Sequence, residues 1–326
     1  MMQEQVQAQK FSGRGKPKNG FRMTLGRKLA IEQAKANGVE LDLSHFTQSK
    51  PDFVSHLLKQ KQEMDISHPP KKELSEKEIY DKLALRFSLL EEITLATAMG
   101  INPSLIVSGP AGLGKSFGVE KVLNDLAIPN LTYIKGYVKP TGAYKALYNA
   151  RHAGSVVVFD DADSIFDTEQ GMNILKAACD SSEIRNIAWL AEHRMEDEDG
   201  DRIPNQFDFE GSVIFITNKD FIAESNSNSR MSVHYQAMVS RSMYLDLELK
   251  SKQDYLVRIK QVLLDFNMFG DKFTTEQKND MFNFMVDNQN IIRELSLRMC
   301  KKLGIIMDSY PNDWKEKAKI LACRGV

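Results

Sequence analysis

Residues 105–116 read Leu105-Ile106-Val107-Ser108-Gly109-Pro110-Ala111-Gly112-Leu113-Gly114-Lys115-Ser116. The first three form a short apolar strand, and the last eight match the pattern G-x-x-x-x-G-K-[ST]. The glycines of such a loop let successive backbone N–H groups turn toward phosphate. A helix expected to begin at Lys115 adds the positive end of its dipole to the same anion site. Lys115 is placed to reach the β and γ phosphates, and the Ser116 hydroxyl to ligate Mg²⁺. ATP and Mg²⁺ are therefore the expected ligands. Gly109, Pro110, Ala111, Gly112, Leu113, Gly114, Lys115 and Ser116 form the expected cradle.

Farther along, Val156-Val157-Val158-Phe159-Asp160-Asp161-Ala162-Asp163 supplies a second pattern. Four apolar residues make a buried strand, and Asp160 emerges at its C-terminal end, where open α/β sheets bind ligands. A carboxylate there can hold Mg²⁺ through water. Asp161 follows, where a general base polarises the attacking water. An acidic pair after an apolar strand says little alone and much more at this distance behind a phosphate loop.

Around these two motifs the chain alternates. An amphipathic helix is expected over residues 75–99, then strands at 105–107, 130–134, 156–159 and 213–217. Helices over 115–126, 143–153 and 171–179 separate them. Wholly apolar strands divided by helices imply a parallel sheet covered on both faces. Beyond residue 249 the patterns are all helical, at 251–266, 274–287, 290–303 and 312–323. Three segments follow: an N-terminal basic tail with short helices (1–74), an α/β nucleotide-binding domain (75–248) and a small helical domain (249–326). The short helices are expected at 29–37 and 51–62. In the tail, Lys10, Arg14, Lys16, Lys18, Arg22, Arg27 and Lys28 fall in a stretch with no acidic residue between Glu4 and Glu32. That composition suits a solvated tail or an arm for nucleic acid or an acidic partner.

Globally the charge is balanced, 43 Lys plus Arg against 44 Asp plus Glu, so a nucleic-acid footprint has to be local. No apolar run approaches the ~20 residues that cross a bilayer. The first ten residues lack a signal-type apolar segment, which makes a cytoplasmic location and no membrane partner the expectation. Cys179, Cys300 and Cys323 are too widely spaced for a metal or disulfide framework. The histidines do not cluster as ligands, and no H-E-x-x-H occurs.

The order of motifs resembles the AAA+ ATPase family over roughly residues 80–305. The resemblance implies a P-loop parallel sheet followed by a helical lid. It implies an ATP hydrolase that assembles as a ring or open ring and drives remodelling or translocation of a nucleic acid or protein. Val213-Ile214-Phe215-Ile216-Thr217-Asn218 looks like the sensor 1 strand, with Asn218 holding the lytic water. Ser240-Arg241 resembles the finger segment, so Arg241 reaches a neighbouring subunit's site; Arg230 is the rival. Asn290-Ile291-Ile292-Arg293-Glu294-Leu295 resembles the start of the lid helix carrying the sensor 2 arginine, here Arg293, with Arg298 as the alternative. The paired acidic residues and basic tail are similar to ATPases of tailed bacteriophages, which implies the host cytoplasm. Asp161 departs from the family's usual Glu. That leaves room for a slow switch or loader serving a replication or packaging complex, or a non-hydrolysing ATP-binding scaffold.

Two further segments bear on the substrate. Lys135-Gly136-Tyr137-Val138-Lys139 falls where translocating AAA+ proteins carry an aromatic pore loop, with Tyr137 either gripping a chain or packing on the core. Residues 186–192 and 202–209 flank the acidic turn Asp197-Glu198-Asp199-Gly200-Asp201, which suits a hairpin or a solvated loop. An acidic tip favours protein or a basic partner over nucleic acid.

Overall fold

A computed structural model describes residues 74–325 except Ala127, Glu183, 191–194 and 197–199. The expected basic tail and its short helices lie outside the described residues, as do the first three residues of the acidic turn.

The chain opens with helix α1 (Glu76–Ala98), fixed at its start by a reciprocal cap in which Ser75 and Glu78 satisfy each other's backbone donors. Strand β1 (Ser104–Ser108), helix α2 (Lys115–Asp125), strand β2 (Asn130–Lys135), helix α3 (Pro140–Asn149) and strand β3 (Ser155–Asp160) follow. After a 3₁₀ turn come helix α4 (Glu169–Ala178) and the short strands β4 (Arg185–Ala188), β5 (Met195–Glu196), β6 (Arg202–Ile203) and β7 (Gln206–Phe209). Strand β8 (Ser212–Thr217), helices α5 (Phe221–Ser225) and α6 (Ser232–Arg241) and strand β9 (Met243–Asp246) complete this part.

Five strands form one sheet in the order β2-β3-β8-β1-β9, every pair parallel. The three central strands β1, β3 and β8 are buried from end to end, which is why their sequences run apolar without alternation. Period-two geometry still sorts their side chains. Ile106, Val157, Phe159, Val213 and Phe215 join the core under α3, α4 and α6, while Leu105, Val107, Val156, Val158, Ile214 and Ile216 pack beneath α1 and α2. Strands β4 and β7 pair antiparallel, as do β5 and β6, which gives the expected hairpin. It is seated on α3: the Tyr144 hydroxyl donates to the Pro204 carbonyl at 2.8 Å, and its ring meets Phe207 edge-on at 5.1 Å.

The C-terminal region is helical and has its own core. Helix α7 (Lys252–Lys260) runs into a π-helical turn (Gln261–Asp265), then come α8 (Thr275–Asp287), α9 (Leu297–Ser309) and α10 (Trp314–Ala322). Met281, Phe284, Met285, Cys300, Leu303 and Trp314 lie in that core. One expected helix is displaced: residues 290–296 are not helical, and α9 begins at Leu297. The cause is local, because Ser296 caps the helix by accepting from the Met299 N–H. No described helix is long and apolar enough to cross a membrane.

Candidate functional site

The carboxyl ends of β1, β8 and β3 lie side by side, and three sequence motifs meet there. Between β1 and α2 the phosphate-type loop turns through Gly112 (φ 77°) and Gly114 (φ 95°), left-handed conformations that a side chain strains. At Gly112 space is also closed, since a Cβ would stand 2.8 Å from that of Ser296.

Lys115 is almost fully buried at 5% exposure. Its ammonium donates to the carbonyls of Gly109 (2.5 Å) and Pro110 (2.9 Å) and to Asn218 Oδ1 (2.9 Å), all neutral oxygens. Burial pulls its pKa down to about 8, against an upward pull from Asp161 and Asp160. A buried cation without a contacting anion is costly, and a phosphate group relieves that cost. The site therefore fits a polyphosphate on its own chemistry.

Across the sheet, the Ser116 hydroxyl donates to Asp160 Oδ1 at 2.9 Å, at the end of β3. A hydroxyl beside a carboxylate is a hard-oxygen pair, and it fits Mg²⁺, which prefers such ligands together with water and phosphate. Asp161, the next residue, adopts a left-handed backbone (φ 50°) and anchors its N–H on the Ile216 carbonyl at 2.9 Å. A non-glycine residue held there stores strain of about 1–3 kcal/mol, a feature that collects at functional sites. Its carboxylate accepts from Asn218 Nδ2 at 2.9 Å. Asn218 thus bridges Lys115 and Asp161, one from each neighbouring motif. Asp163, a second acidic candidate, is committed elsewhere: Thr217 Oγ1 donates to it at 2.6 Å, and burial raises its pKa.

These groups line a cleft of 1120 Å³ that extends between α1, α2 and the helical region. Of the two arginines assigned by resemblance, Arg293 was expected in this cleft and Arg241 in that of a neighbouring subunit, and neither lines it. Arg293 donates from Nε to the Cys323 carbonyl at 3.3 Å and is absent from the cleft lining. Its alternative Arg298 lines the cleft, on the first turn of α9. The physical reason is the late start of α9: the Leu297 N–H donates to the Gly112 carbonyl at 2.9 Å, so the helix begins against the loop and carries Arg298 with it. Arg241, at the end of α6, stands 3.5 Å from Asp180 and also lies outside the chain's own cleft. Its rival Arg230 pairs with Glu169 at 3.1 Å with a side chain that is 90% exposed.

Three other residues line the cleft that sequence reasoning had not placed there: Phe117 and Arg258, which it did not single out, and Lys135, which it assigned to the following loop. Lys135 is held by Glu120 at 2.6 Å and stands 3.5 Å from Asp160, so its charge turns to the site rather than to the following loop. Phe117 is exposed beside Ser116. Arg258, on α7, is buried with its guanidinium 3.2 Å from the Phe87 ring centroid, and burial draws its pKa down to about 9. The one available signal was a lone arginine between Val257 and Ile259, which reads as a surface charge until the fold is known. In the loop after β2, Tyr137 is 77% exposed, so it is not packed on the core, while Val138 is buried and bonded to Ser164.

No family profile matches the sequence. The chain is 33% identical over 262 residues, 78% of its length and 80% of the relative's, to the uncharacterised 36.7 kDa protein of the nrdC–mobD intergenic region of Enterobacteria phage T4. Among solved structures it is similar to the Thermotoga maritima RuvB Holliday junction branch migration motor, with 14% identity, TM-score 0.41 and coverage of 74% of this chain and 68% of that one. It is also similar to Brucella abortus NtrX in complex with ATP, with 10% identity, TM-score 0.35 and coverage of 91% and 78%. The chain belongs to the family of that T4 phage protein, and its β2-β3-β8-β1-β9 parallel sheet, phosphate-type loop and helical C-terminal region have the architecture that the resemblance to AAA+ ATPases implied.

Proposed function

We propose that this protein binds and hydrolyses ATP as an oligomer and uses the energy to remodel or translocate a macromolecule. The observation that carries the proposal is the continuous polar row across β1, β8 and β3: Ser116 on Asp160, and Lys115 on Asn218 on Asp161. That row supports a phosphoryl transfer to water, because it sets a phosphate-binding cation, a pair of hard oxygens for Mg²⁺ and a carboxylate for the water beside one another. Lys115 and the loop N–H groups hold the β and γ phosphates. Ser116 and Asp160 would hold Mg²⁺, which when bound would supply charge neutralisation to the phosphoryl oxygens. Asp161 orients the attacking water and accepts its proton, while the Asn218 amide keeps that carboxylate aimed. Arg298 meets phosphate charge from the helical lid, a role that falls to it rather than to Arg293 on the ground of position. Arg241 acts in a neighbouring subunit's site, in keeping with its place outside its own cleft.

The exposed Tyr137 at the loop tip is the contact proposed for the macromolecule. Aromatic contacts of this kind suit an extended chain of either class. Pairing of Lys135 with Glu120 and Asp160 withdraws one of the two flanking cations, which tilts the reading toward polypeptide. A slow ATP-dependent switch is the second reading, favoured by one feature: Asp161 is a methylene shorter than Glu, and a ~1 Å misplacement can cost ~10²-fold in rate. ATP turnover by the full chain, measured alone and with single-stranded DNA, duplex DNA or an unfolded polypeptide, tests both. Stimulation by one of these names the substrate class. Slow turnover that none of them raises favours the switch, and no turnover under any condition rejects hydrolysis.

A further inference from the structure

Arg258 is a charged residue that the site described so far does not use. It sits on α7, the first helix of the C-terminal region, and is 5% exposed. Its Nε donates to the Leu113 carbonyl at 3.4 Å, and Nη1 donates to Gln261 Oε1 at 3.3 Å. Gln261 is fully buried and donates in turn to the Tyr80 carbonyl at 2.8 Å. The guanidinium lies over Phe87 of α1, and its Nη2 is 3.8 Å from where a Cβ on Gly114 would be. One side chain thus ties three separate pieces together: the phosphate-type loop, α1 and α7.

Two facts set this arginine apart from a packing residue. First, no described carboxylate contacts it; Glu91, the acidic group that acts on it from a distance, is paired with Lys121 at 3.3 Å. A buried cation whose acceptors are a carbonyl and an amide lacks the countercharge that ordinarily accompanies burial. Second, its acceptor belongs to the loop itself. In a trans peptide the C=O and the next N–H point in opposite directions. With the Leu113 carbonyl turned to Arg258, the Gly114 N–H is turned away from the guanidinium, and a cation on the carbonyl strengthens that N–H as a donor.

We propose that Arg258 is a phosphate-positioning residue, which fixes the Leu113–Gly114 peptide from the helical region and whose buried charge is compensated when phosphate occupies the loop. This rests on the reading of the cleft as a polyphosphate site. Because the residue belongs to α7, the seating of that helix and occupancy of the loop are linked: each favours the other by the same factor.

The test is binding of Mg²⁺-ATP and of Mg²⁺-tripolyphosphate to the full chain by calorimetry, with thermal unfolding alongside. Lys115→Ala serves as the control for the site itself. Arg258→Met removes the cation and keeps the volume, an exchange that is often neutral or stabilising for a buried charge. It is expected to leave the unfolding temperature unchanged or raised and to weaken both ligands about tenfold or more. Arg258→Lys returns a charge without the planar fork, and is expected to recover part of that loss. A merely structural role moves the unfolding temperature and leaves phosphate affinity in the folded protein alone. Wild-type affinity for tripolyphosphate in Arg258→Met overturns the proposal while the site reading stands. If Arg258→Met does not fold, Arg258→Lys decides: an affinity between wild type and Lys115→Ala supports positioning, and wild-type affinity refutes it. Failure of the wild-type chain to bind either ligand rejects the site reading and this inference with it.

Discussion

Lys115 gives a stability signature that is independent of turnover. Its ammonium is buried against neutral oxygens, and its pKa falls from 10.5 to about 8, desolvation outweighing the pull of Asp161 and Asp160. Between those two values the unfolded chain holds a proton on this group that the folded chain has lost. Stability therefore rises with pH across the window from about 8 to 10.5. At about 1.4 kcal/mol per pKa unit, the full contribution is ~3 kcal/mol. Lys115→Met removes the group from both states and with it this part of the rise. The assay is urea unfolding of the ligand-free full chain at steps between pH 7.5 and pH 10, for both proteins. Other lysines, tyrosines and Arg258 titrate in each protein and cancel in the difference. The wild type is expected to gain at least about 1 kcal/mol more than Lys115→Met over that range. Bound phosphate reverses the effect by favouring the ammonium, so binding above pH 8 takes up a proton, measurable by calorimetry in two buffers of different ionisation enthalpy. Parallel stability profiles, together with no proton uptake on tripolyphosphate binding, would refute the assignment of Lys115 as the buried cation awaiting phosphate.

Two other outcomes are expected. Arg298→Ala should weaken Mg²⁺-ATP binding by about 10- to 150-fold, on the scale of a lost charge-assisted hydrogen bond, while Arg293→Ala changes it less than about twofold. Equal effects in the two variants would return the lid arginine to an open question. For Arg241, the full-length Arg241→Ala and Lys115→Ala proteins are each expected to be inactive alone, and a mixture shown by light scattering to co-assemble should regain ATP turnover by pairing an intact cradle with an intact finger. Absence of recovery in co-assembled mixtures counts against action across a subunit boundary.

What the sequence determined by itself was local and contiguous. The phosphate-type loop from Gly109 to Ser116 and the strand ending at Asp160 carry their chemistry in consecutive residues, and a motif bounded by a strand and a helix folds into its own geometry. The parallel sheet was legible for a similar reason, because strands buried on both faces must run apolar, as β1, β3 and β8 do. Asn218 was assigned through the strand that precedes it, and the structure brings it between Lys115 and Asp161. Other features depended on partners far away in the chain. Which of Arg293 and Arg298 lines the cleft turned on where α9 begins, and the Gly112 carbonyl that meets Leu297 is remote in sequence. Charge fate was hidden too: Lys135 reads as a free cation in sequence but is held by Glu120 and Asp160, and Arg258 reads as a surface residue but is buried over Phe87. Tyr137 could equally have packed inward, and its exposure follows from Val138 taking the buried position on Ser164. Residue type limits what a side chain can do, but its desolvation and its countercharge are set by whichever distant segments the fold brings against it, and only the tertiary structure decides those.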